Sequence, residues 1–122
     1  NKGVILIYGI NKLLHKINNN SKLIELFNLI KKYEKIGVII VDEISRIRNI
    51  AYEPWFNSMF DLNNGLWIGR GVSDQGLLRL SNVTKEMTLD YKNNMGYIIN
   101  DGAATLIKLI DFIDKEEDLY DE

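Results

Sequence analysis

Asp42 and Glu43 stand side by side at the end of the apolar run Ile36-Gly37-Val38-Ile39-Ile40-Val41, and paired carboxylates in that position can serve nucleotide chemistry. In nucleotide-hydrolysing α/β domains, such a strand delivers an Asp to the Mg2+ shell and a Glu that polarises the attacking water. The complementary element is missing. No G-x-x-x-x-G-K-[ST] occurs in the 122 residues, so nothing here supplies the nest of backbone N–H groups and the Lys that hold phosphates. An Asp at a strand end also serves as a loop starter or helix cap, and the pattern alone leaves both roles open.

A second polar group follows at Gly69-Arg70-Gly71 and Ser73-Asp74-Gln75. Backbone freedom beside a guanidinium would let this loop face a nucleotide or a neighbouring subunit, with Arg70 as an arginine finger and Asp74 and Gln75 beside it. A solvated surface loop is the plainer reading. Trp55, Phe56, Met59 and Phe60 form one apolar helix face, which packs a core by default and a partner-binding groove otherwise. His15 lies among Leu13, Leu14 and Ile17 with no second ligand at metal spacing, so it reads as structural. With zero Cys and one His, only carboxylates remain for metal chemistry, and no metal site is expected.

These residues need a scaffold, and the composition provides for one. At 46% hydrophobic, the chain suits one globular domain or a large part of one. A net charge of −2 and a pI near 5.5 argue against a general nucleic-acid partner. The apolar runs Val4 to Tyr8 and Ile36 to Val41 are far shorter than the roughly 20 residues of a membrane span.

Val4-Ile5-Leu6-Ile7-Tyr8 before Gly9 predicts a buried strand, and Leu13, Leu14 and Ile17 predict a helix after it. Asn18-Asn19-Asn20 breaks that helix and Ser21 is positioned to cap the next, whose stripe is Leu23, Ile24, Phe27 and Ile30 with Leu26 at its edge. Two apolar strands joined through helices make a β-α-β crossover with parallel strands. Pro54 suits the first turn of a further helix. Asn63-Asn64-Gly65 predicts a turn, Leu66-Trp67-Ile68 a third strand, Gly76 to Leu80 another, and Asn82 to Tyr91 a helix. Tyr97-Ile98-Ile99 and Thr105 to Ile110 predict a hairpin around Asn100-Asp101-Gly102. Residues 1–113 form the predicted domain, and 114–122 an acidic, frayed tail.

The string from Asn64 to Gln75, with Glu53-Pro54-Trp55-Phe56 before it and Val83 to Met87, Met95-Gly96-Tyr97 and Thr105 to Leu109 after it, resembles the last ATPase-like domain of the EssC-type FtsK/SpoIIIE family of type VII secretion. In that family a D-G-x-W-x-G-x-G-x-x-D-Q segment follows a Walker-B-like strand, and the order here agrees. The resemblance implies a partial P-loop NTPase domain, RecA/FtsK-like, with a mainly parallel sheet flanked by helices and a C-terminal hairpin. It implies Asp42 and Glu43 as the Walker B pair, with ATP and Mg2+ as cofactors of the parent protein and none in this chain. Implied partners are secreted WXG100-type or toxin substrates, the other domains of the motor, and further copies in a hexamer. The implied location is the cytoplasmic side of a bacterial cell membrane.

The family's last domain often has degenerate nucleotide motifs and is associated with substrate recognition, so docking is the expected role. Hydrolysis with a phosphate loop placed upstream is the alternative. A Toprim-like metal domain shares the acidic strand end, but its first strand closes on a Glu where this chain has Tyr8-Gly9.

Overall fold

The computed structural model describes residues 1–17, 20–89 and 94–110. The chain forms two units, residues 1–61 and 62–122.

In the first unit, strand β1 (Gly3–Tyr8) leads through Gly9 into helices α1 (Ile10–Ile17) and α2 (Asn20–Lys32) and returns as β2 (Ile36–Val41). The strands pair in parallel from Gly3↔Ile36 to Tyr8↔Val41, as the crossover argument requires. Gly9 has φ +79, a conformation glycine adopts without steric cost, and its N–H bonds to the Val41 carbonyl at 3.0 Å. The chain thus turns from strand into helix at one residue. Helix α2 starts at Asn20, one residue ahead of the expected Ser21 cap.

Two short helices complete the unit, α3 (Ile44–Ile50) and α4 (Pro54–Met59), with Pro54 at the first turn as predicted. Leu23, Phe27 and Ile30 of α2 are buried, while Ile24, expected in the stripe, is exposed, as is Leu26 at its edge. Phe27 stacks on Trp55 with ring centroids 5.0 Å apart and 6° between planes, and Phe60 meets Phe27 edge-on at 6.3 Å. Such pairs add about 0.5–1.5 kcal/mol each beyond the area they bury. Lys31 donates from Nζ to the Ser58 carbonyl at 3.1 Å, placing a cation at the negative end of α4.

The second unit corrects the expectation of a mainly parallel sheet. Strand β3 (Gly65–Ile68) pairs antiparallel with β4 (Met95–Asn100), which pairs antiparallel with β5 (Ala103–Lys108). The predicted hairpin is present, and its turn residues Asp101 (φ 49) and Gly102 (φ 84) both adopt positive φ, as a type I′ turn demands. One sheet face carries Trp67, Tyr97 and Leu106 in a row across the three strands, with Ile99 and Ala104 alongside. Val72 and Met87 close this core.

Two further expectations fail here. Gly76 to Leu80 is no strand, because its polar backbone groups find partners outside any ladder: Leu77 and Leu78 bond to the Gln75 side chain and Arg79 N–H to the Leu62 carbonyl. Of the helix expected over Asn82 to Tyr91, the described residues 82–89 form a single 3-10 turn, Lys85–Thr88; Thr84 makes no side-chain cap, and among them Met87 alone is buried. Residues 90–91 of that expected helix, the Asn18-Asn19 break and the acidic tail at 114–122 lie outside the described residues. No helix among the described residues is long and apolar enough to cross a membrane.

Gly96 marks a close approach between strands: a Cβ built there would meet the Trp67 carbonyl oxygen at 2.7 Å. Gly96→Ala is expected to destabilise the chain by about 1–3 kcal/mol, because backbone cannot yield as a side-chain tip can. Gly37, where a Cβ meets nothing within 4 Å, provides the control, and Gly37→Ala should be near neutral or stabilising. Urea unfolding followed by tryptophan emission measures both.

Candidate functional site

The alternation of β2 decides how its two terminal carboxylates are presented. Ile36, Val38 and Ile40 are half-buried on one face, while Gly37, Ile39 and Val41 are exposed on the other. Asp42 continues the inward set and Glu43 the outward one. Accordingly the Asp42 side chain is 3% exposed and that of Glu43 72%. The two carboxylates thus differ in exposure, one inside and one in water.

Asp42 is tied into the start of α3. Its Oδ1 accepts the Glu43 backbone N–H at 2.8 Å and lies 3.4 Å from an Arg46 guanidinium nitrogen. Arg46 also approaches Glu43 at 3.9 Å. With 43% of the Arg46 side chain in water, these pairs orient more than they stabilise. Asp42 Oδ2 is buried and makes no hydrogen bond. Burying such an oxygen carries a desolvation cost that its neighbours leave unmet.

A Mg2+ ion is normally held by one or two carboxylates together with substrate phosphates and water. One orphan oxygen beside an arginine cation is a poor set for it. Among the described residues no group of three or more His, Cys, Asp or Glu is placed to hold a metal. Gly9, the single residue joining β1 to α1, offers no multi-residue phosphate nest.

In the second unit, Arg70 and Asp74 are exposed and Gln75 is inside, 4% exposed. The Gln75 amide bonds to its own loop: Oε1 accepts Leu77 and Leu78 N–H at 2.7 Å each, and Nε2 donates to the Leu78 carbonyl at 2.6 Å. This polar side chain acts as a backbone clamp. Gly69 (φ +98) and Gly71 (φ +80) take the positive φ that the loop requires. Sequence reasoning missed the role of Trp67, whose indole N–H donates to the Arg70 carbonyl at 3.0 Å and fixes the loop between the two glycines. An aromatic donor a few positions before Gly-Arg-Gly was the available signal.

Trp55 and Phe56 belong to the core of the first unit, with Phe60 half-buried against Phe27 and Phe56. The core reading of this stripe therefore holds for Trp55 and Phe56, which are not open to a partner. His15 lies on the exposed side of α1.

No family model matches this chain, and neither a curated protein nor a solved structure is significantly similar to it.

Two substitutions probe these assignments through stability. Gln75→Ala strands the Leu77 and Leu78 amides and is expected to cost about 1–3 kcal/mol. Trp55→Ala is expected to cost about 3–5 kcal/mol, the range for emptying a large aromatic site in a core. Chemical denaturation measures both, and a Trp55→Ala protein as stable as the parent would return that residue to the surface.

Proposed function

We propose that this chain is a protein-docking segment of a type VII secretion motor of the FtsK/SpoIIIE kind, recognising helical secreted proteins of the WXG100 type or related toxins. The observation that carries this reading is the outer face of β1 and β2. Parallel sheets are ordinarily covered on both faces, yet Val4, Leu6 and Tyr8 of β1 and Ile39 and Val41 of β2 all stand exposed. An apolar surface of this kind marks a site of association. In the parent motor the segment would lie on the cytoplasmic side of the membrane, beside the motor's other domains and, in a hexamer, beside further copies.

The carboxylates support a role without turnover. Arg46 lies against both carboxylates, 3.4 Å from Asp42 and 3.9 Å from Glu43, and offsets the charge that a Mg2+ shell would draw on. The hydrolase reading, with ATP and Mg2+ held partly by residues upstream of this chain, is favoured by one feature, the unpaired Asp42 Oδ2. On this reading Arg70 and Asp74 remain exposed contacts for a nucleotide or subunit, while Gln75 acts through the loop it holds.

The two readings differ in a direct assay. Incubated with ATP and Mg2+, the 122-residue chain is expected to release phosphate no faster than buffer, with Glu43→Gln making no difference, while titration calorimetry with a WXG100-type dimer shows saturable binding. Turnover that Glu43→Gln abolishes would replace docking with hydrolysis.

A further inference from the structure

Resting on the docking reading, we propose that the outer face of β1–β2 receives one amphipathic α-helix of a partner protein, lying antiparallel to the two strands. The register puts Val4 opposite Gly37, Leu6 opposite Ile39 and Tyr8 opposite Val41, so the side chains of Val4, Leu6, Tyr8, Ile39 and Val41 share one apolar strip. On it Leu6 is 63% and Tyr8 78% exposed, and Ile39 is 51% exposed. The helices of this unit leave that side open, and a helical layer is the usual cover of a parallel sheet.

Six residues of strand span about 20 Å, the length of a helix of about 13 residues. A helix about 10 Å across spans two strands about 4.8 Å apart. The strip therefore has room for one helix of three to four turns.

Charge at the two ends sets its direction. At the N-terminal end of the strands, Lys2 and Lys35 are exposed, and the Lys35 carbonyl accepts the Gly3 N–H at 2.9 Å, which holds Lys35 beside the start of β1. At the C-terminal end stands Glu43, 72% exposed; it pairs with Arg46 at 3.9 Å, but in water at that distance the pairing is weak and leaves the carboxylate open to a partner. A helix carries partial positive charge at its N-terminus and partial negative charge at its C-terminus. Both ends are complemented when the partner helix begins over Glu43 and ends over Lys2 and Lys35.

A 13-residue amphipathic peptide with a leucine stripe, free termini and a nitroxide at one end or the other tests both place and direction on the isotope-labelled chain. The N-terminal label is expected to broaden the amide signals of Tyr8 and Val41, and the C-terminal label those of Val4 and Gly37. Leu6→Lys and Ile39→Lys should each weaken binding tenfold or more with the far-ultraviolet dichroism unchanged. If either fails to fold, Tyr8→Ser, at the most exposed position of the strip, takes its place.

Broadening in the reversed order overturns the direction, and broadening confined to other elements overturns the site. Self-association of the free chain that Leu6→Lys abolishes would place a second copy on this face instead. Should a WXG100-type dimer bind while the peptide labels leave this face untouched, docking stands and this inference falls. If neither binds, both fall.

Discussion

The parallel pairing of β1 with β2 is the constraint on which residues 1–61 depend. Parallel neighbours cannot be joined by a tight turn, so the chain between Tyr8 and Ile36 must travel back along the sheet, and here it does so as α1 and α2. That return provides the faces on which Leu23, Phe27 and Ile30 are buried. It also determines which side of β2 is inside. From that choice follow the burial of Asp42, the exposure of Glu43 and the bare strip on the opposite face.

Elements with strong local pattern were legible in the residues. The apolar runs gave both parallel strands, Pro54 gave the start of α4, and Asp101-Gly102 gave the hairpin. The partner of Leu66-Trp67-Ile68 was not legible, because a short apolar strand has the same composition in a parallel or an antiparallel sheet. Gly76 to Leu80 misled for a related reason: Leu78 and Leu80 pack on the core of the second unit, but a glutamine side chain takes the hydrogen bonds that a neighbouring strand would otherwise receive. The candidate site was legible as a list of residues and not as an arrangement. Adjacent acids suggest joint action on a ligand, whereas here one is buried, the other is exposed, and both lie beside Arg46.

The polar groups singled out for chemistry include two that the fold uses internally, Asp42 at the start of α3 and Gln75 within its loop. Much of what the strands turn outward is hydrocarbon. In the second unit the same holds for Leu66, Ile68 and Ile98, exposed on the sheet face away from Trp67 and Tyr97. The β3–β5 sheet thus has one face with a core and one without, and the outer face of the β1–β2 sheet is the barer of its two. Two-layer units built this way gain only part of the burial that their apolar content allows, which favours association over isolation.

The two ladders also differ in how they can be assembled. Asn100 finds Ala103 across a two-residue turn, and each later pair of β4 and β5 adds to one already made. Hairpins of this kind close on the order of microseconds. Gly3 must instead find Ile36 across the whole crossover, so the loop-closure entropy falls due before the pairing returns anything. The strip of β1 and β2 therefore depends on the costlier of the two closures, and a helix that binds only the paired strands would add its binding energy to that pairing.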